Sequence, residues 1–116
     1  MKQWAELVPL RVAVECAAGR AVDIRWAPDS GAHKKFEYAR VFLVVPGVEP
    51  RRVYLDLVDG RAWAAMELPS GLADGEYAID VDAYGSASWG DGRLEGRGRS
   101  APFTLGAHAA GEIAGG

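Results

Sequence analysis

The stretch AVDIRWAPDSGAHKKFEY, Ala21 to Tyr38, decides the fold. Val22, Ile24 and Trp26 alternate with Asp23 and Arg25, the period of a strand with one buried face. Pro28 then removes a ladder donor, and Asp29-Ser30-Gly31 is turn chemistry. Phe36 and Tyr38 open the next strand with aromatics. Helical periodicity is nearly absent elsewhere, so this strand–turn–strand unit makes the chain all-β.

The same period-2 pattern extends in both directions. Upstream, Leu10, Val12, Val14 and Cys16 alternate with Arg11, Ala13 and Glu15, which predicts a first strand with Cys16 buried. Downstream, a third strand runs from about Phe36 to Val45, with Ala39, Val41, Leu43 and Val45 inward and Phe42 and Val44 outward. Val53, Leu55 and Leu57 form the next inward set, with Tyr54 and Asp56 outward. Asp59-Gly60 is a two-residue hairpin signal, and the returning strand ends at Pro69-Ser70-Gly71. Ala62, Ala64, Met66 and Leu68 face in along that strand, so Trp63 faces out. Tyr77, Ile79, Val81 and Ala83 alternate with Asp80, Asp82 and Tyr84. A glycine-rich segment, Gly85 to Gly98, follows, in which Asp91-Gly92 closes a long hairpin, and Phe103 and Leu105 carry the final strand. About seven strands with turns every 8 to 12 residues predict a seven-stranded antiparallel two-sheet sandwich. It forms a single domain over residues 1–106, with 107–116 a small-residue tail.

Three stretches together resemble a fibronectin type III domain, an immunoglobulin-like sandwich. Ile24-Arg25-Trp26-Ala27-Pro28 resembles its second-strand tryptophan and following proline. Leu72-Ala73-Asp74-Gly75-Glu76-Tyr77 resembles its tyrosine corner, which implies that the Tyr77 hydroxyl bonds backbone a few residues upstream. Ser100-Ala101-Pro102-Phe103-Thr104-Leu105 is similar to its last strand. The resemblance covers roughly residues 8 to 106 and departs from the family in the short Leu72–Tyr77 spacing and in lacking a proline-rich start. It implies a scaffold or binding module whose third, fourth, sixth and seventh strands share one sheet.

Composition narrows the function. At 116 residues the chain makes one modest core without staples. A net charge of -3 argues against a nucleic-acid partner, and the basic spots at Arg51-Arg52, Arg93, Arg97 and Arg99 are balanced by acids. One cysteine forms no internal disulfide. No apolar run is long enough for a signal peptide or a bilayer span, so the expected site is the cytoplasm or a particle assembled there, with no membrane partner.

No catalytic constellation is visible. His33 lies in a turn and His108 in the tail, each remote in sequence from a nucleophile or ligand partner. Asp80 and Asp82 share an outward face, where a carboxylate pair binds cations, performs acid–base chemistry, or meets arginines across strands, here Arg97 or Arg99. The last is the ordinary use. The glycine-rich segment lacks the Gly-Lys-Ser/Thr of a phosphate loop. No cofactor and no metal are expected, and the chain does not read as an enzyme.

What remains is surface. Phe42, Val44, Tyr54 and Tyr84 are expected to share one outer face, and an exposed apolar patch of that kind marks an interface. Trp63 and Trp89 join them as exposed aromatics that anchor proteins or stack on sugars; Trp4 is a further such aromatic, or a cover for that face. The expected function is a non-catalytic interaction or structural module that associates with itself or another protein, a component of a larger assembly of the virion or tail kind. The alternative is a carbohydrate-binding module using the exposed aromatics.

Overall fold

Alternation along the chain is realised as eight strands in a computed structural model that describes residues 7–17, 19–31, 36–59, 62–85 and 94–105. They are β1 (Val8–Cys16), β2 (Ala21–Pro28), β3 (Tyr38–Val45), β4 (Arg51–Asp59), β5 (Trp63–Glu67), β6 (Gly75–Tyr84), β7 (Leu94–Arg99) and β8 (Phe103–Leu105). Trp4, His33, Gly60, Trp89, the Asp91-Gly92 turn, His108 and the 107–116 tail lie outside the described residues.

Hydrogen bonding links the strands in the order β4-β3-β6-β7-β1-β2-β5, with β8 beside β6. Every ladder is antiparallel except β1·β7, which is parallel over Val8↔Gly96 and Pro9↔Arg97. The result is one nearly closed, barrel-like mixed sheet rather than seven antiparallel strands in two clear sheets. No helix among the described residues is long and apolar enough to cross a membrane.

Two local causes produce the departure. The expected final strand is divided, because Pro102 has no N–H to donate and the ladder to β6 breaks at Ser100–Pro102. Ser100 bridges the gap: its N–H donates to the Ile79 carbonyl at 2.9 Å, and its hydroxyl accepts the Ile79 N–H at 3.0 Å. The parallel junction depends on two glycines. A Cβ at Gly96 would meet the Phe36 ring at 3.2 Å and the Val8 carbonyl at 3.3 Å. At Gly98 a Cβ would overlap the Leu10 carbonyl outright, so β1 can approach β7 only where the side chain is absent. Gly98→Ala is therefore expected to cost about 1–3 kcal/mol, the range for forcing extra volume into a packed site. Urea unfolding checks this through the midpoint; an unshifted midpoint would mean that β1 moves off β7 without loss.

The core follows the alternation closely. Val22, Ile24 and Trp26 are buried from β2, and Tyr77, Ile79, Val81 and Ala83 from β6. The Tyr77 hydroxyl donates to the Ala73 carbonyl at 2.6 Å, the bond that the resemblance implied. Three expectations fail. Leu57 faces out and Val58 in, because a bulge places both Leu55 and Asp56 across from Val41 and shifts the frame by one. Val44, expected on the surface, is buried. Cys16, expected in the core, is exposed at the last residue of β1. Burial of part of its environment still pushes the thiol pKa up, which keeps it a weak nucleophile.

Candidate functional site

Strands β4, β3, β6 and β7 lie side by side, and their outward residues form one face. Its centre is polar. Asp80 and Asp82 alternate with the core residues of β6 and so point away from the core, yet they are only 3% and 2% exposed. A carboxylate taken from water at that depth must be paired. Arg97 and Arg99 stand directly across the β6·β7 ladder, Arg97 opposite Asp82 and Arg99 opposite Asp80. Each makes a two-pronged contact with its partner. Arg97 Nε and Nη2 donate to Asp82 at 2.9 and 3.1 Å, and Arg99 Nε and Nη2 to Asp80 at 2.7 and 3.0 Å.

A third arginine bridges the two acids. Arg52 on β4 donates from Nε to Asp80 at 3.0 Å and from Nη2 to Asp82 at 2.7 Å. It starts two strands away from β6, a gap of about 9–10 Å that an extended arginine spans. Its guanidinium crosses the Phe42 ring 3.9 Å from the centroid, so the aromatic face floors the bridge. Among the described residues no buried side-chain N or O atom lacks a hydrogen-bond partner.

The electrostatics follow from these contacts. Burial on its own would raise the Asp82 pKa. Hydrogen bonds from Arg97 and Arg52 outweigh that effect and hold it below its ordinary 3.8. The bond to Asp82 pushes the Arg97 pKa up, and the bond to Asp80 does the same for Arg99. Each carboxylate thus accepts three arginine hydrogen bonds. Among the described residues no group of three or more His, Cys, Asp or Glu side chains gathers to hold a metal.

Aromatic rings frame the charges. Tyr54, 53% exposed, meets Phe42 edge-on at 5.8 Å. At the other end of the face Tyr38 and Tyr84 stack at 4.9 Å with their planes 4° apart, and the Arg40 guanidinium lies 5.1 Å from the Tyr84 centroid. Of the expected surface residues, Phe42, Tyr54 and Tyr84 thus lie on this face, while Val44, in the same frame as Phe42, is buried. Trp63 stands apart on β5. It is 52% exposed, as its frame predicts, and lines a cleft between the two end strands with Leu57 and Val58 of β4.

Sequence reasoning identifies Arg97 and Arg99 as partners of the Asp pair but misses Arg52, Arg40 and Tyr38. The missed signal is available in the outward frame of β3, where Tyr38 and Arg40 precede Phe42 at the same two-residue step. Comparison with known proteins adds no relative: no family model and no curated protein matches the chain.

Proposed function

We propose that this chain is a fibronectin type III-like module that acts as a non-catalytic protein-interaction unit, docking through the outer face of β4-β3-β6-β7 as a component of a larger assembly. The fold assignment draws on the strand neighbours β4-β3-β6-β7 and β1-β2-β5, the buried Trp26 and the Tyr77 corner. The single observation that carries the function is the way this face is held. Three guanidiniums are fixed by two buried carboxylates, and four aromatic rings are fixed by stacking or edge contact. Tyrosine and arginine dominate interface hot spots, and side chains already held in place lose little entropy when a partner arrives. An assembly role of the virion or tail kind rests on analogy with other β-sandwich modules.

A glycan-binding reading has one observation in its favour. Trp63 lines a shallow cleft with Asp23 and Arg25, a stacking ring beside polar groups.

Solution mass by light scattering coupled to size exclusion tests the proposal. A defined or concentration-dependent oligomer supports it, and Tyr54→Glu is then expected to weaken association at least about tenfold with the fold intact. Association that ignores Tyr54→Glu removes this face as the contact. A monomer at every concentration restricts the proposal to a heterologous protein partner. Quenching of Trp63 fluorescence by glycans would replace it with the sugar-binding reading.

A further inference from the structure

We infer that the outer face of β4-β3-β6-β7 docks an extended acidic segment of a partner protein, one with carboxylates at alternate positions. The inference deepens the reading above and rests on it. Cross-strand register sets the guanidiniums in two rows. Arg40 and Arg97 flank Asp82 in one, and Phe42, carrying the Arg52 guanidinium, and Arg99 flank Asp80 in the next. Successive rows are two residues apart along the strands, about 6.6–6.8 Å. An extended peptide presents alternate side chains at that same spacing, all from one face.

Charge points the same way. The four arginines carry two more charges than the two buried aspartates, although the chain as a whole is at -3. These two rows are therefore positive on an acidic molecule. Glu76 on β6, Glu95 on β7 and Asp59 on β4, opposite Tyr38, lie beyond the two rows. The arginine side chains are 46% exposed at Arg97 and 54% at Arg99, while their Nε and Nη2 atoms point to the carboxylates. A guanidinium has five N–H donors in a rigid fork, so the donors on the solvent side remain for a second carboxylate. The buried acids thus serve to hold the cations in array before a ligand arrives. A nucleic-acid ligand fits less well, because the net negative chain repels a long polyanion outside this short array.

Fluorescence anisotropy with the folded chain decides the matter. The probe is a labelled ten-residue peptide of alternating glutamate and threonine, titrated at about 50 mM and about 300 mM salt. Saturable binding that weakens at the higher salt is expected, with no binding of the glutamine-for-glutamate peptide. Arg40→Gln removes one cation of the array while leaving the arginine hydrogen bonds of Asp80 and Asp82 in place, and is expected to weaken binding roughly threefold to fivefold. Absence of saturable binding, equal binding of the glutamine peptide, or an equally tight oligothymidylate would each overturn the inference. A Tyr54-dependent association that persists while the glutamate peptide is ignored would overturn the acidic-segment inference alone.

Discussion

Trp26→Ala is expected to lower stability by about 3–5 kcal/mol, the range for truncating a buried large aromatic. Trp26 comes from β2, faces Val12 across the β1·β2 ladder, and is 5% exposed. Its backbone N–H donates to the Ala62 carbonyl at 3.1 Å, a bond that alanine keeps, so the loss belongs to the indole and the void it leaves. A domain of this size has only about 5–15 kcal/mol in total, so the variant sits near the edge of folding at 25 °C. Trp63→Ala is the matched control. The same side chain is removed from an exposed position on the adjacent strand, and the expected loss is below about 1 kcal/mol. Urea unfolding followed by circular dichroism reads both. Equal losses for the two tryptophans would mean that the inward frame of β2 is misassigned.

That contrast was legible in the sequence because it depends only on alternation. Val22, Ile24 and Trp26, and Tyr77, Ile79, Val81 and Ala83, keep a strict two-residue period and are buried where the period puts them, although in β6 the alternate residues Ala78, Asp80 and Asp82 are buried as well. The Tyr77 bond was legible from a local pattern, since donor and acceptor are four residues apart. What was not legible depends on how many residues one strand sets against another. The bulge at Leu55 and Asp56 leaves the apolar pattern of β4 readable in two frames, and the wrong one makes Leu57 core and Val58 surface. The parallel β1·β7 contact depends on a missing Cβ at Gly98, where composition suggests only a turn-rich segment. At the candidate site, alternation placed Phe42, Tyr54 and Tyr84 together and matched the Asp pair with Arg97 and Arg99. It could not find Arg52, which reaches over an intervening strand, and so the centre of an expected apolar patch is an ion-pair cluster.

That cluster gives the second large effect. The double variant Arg52→Ala/Arg97→Ala is expected to lose about 3–5 kcal/mol at neutral pH, because it leaves Asp82 buried without the two cations that hydrogen-bond it. Arg40, opposite Asp82 on β3, and Arg99, on Asp80, are the cations that remain, while Asp80 itself adds like-charge repulsion. The dependence on pH separates a lost ion pair from lost packing. In the wild type the folded pKa of Asp82 is lowered, so its contribution is fully present above its unfolded value near 3.8 and is lost as pH falls through the folded value. In the double variant the two hydrogen-bonding cations that lower it are gone, while burial and Asp80 favour the protonated acid against Arg40 and Arg99. The variant therefore lacks the stabilisation that the lowered pKa supplies, and protonation removes that same contribution from the wild type as pH falls through its folded value. The stability gap between the two proteins is thus expected to hold from pH 7 to about 4 and to narrow as pH falls from 3.8 through the folded value of Asp82. Urea unfolding of both across that range measures the gap. A gap that stays constant would assign the whole effect to the arginine side chains as packing over Phe42 and Val44, and would show that the buried carboxylates do not depend on these two arginines for their charge.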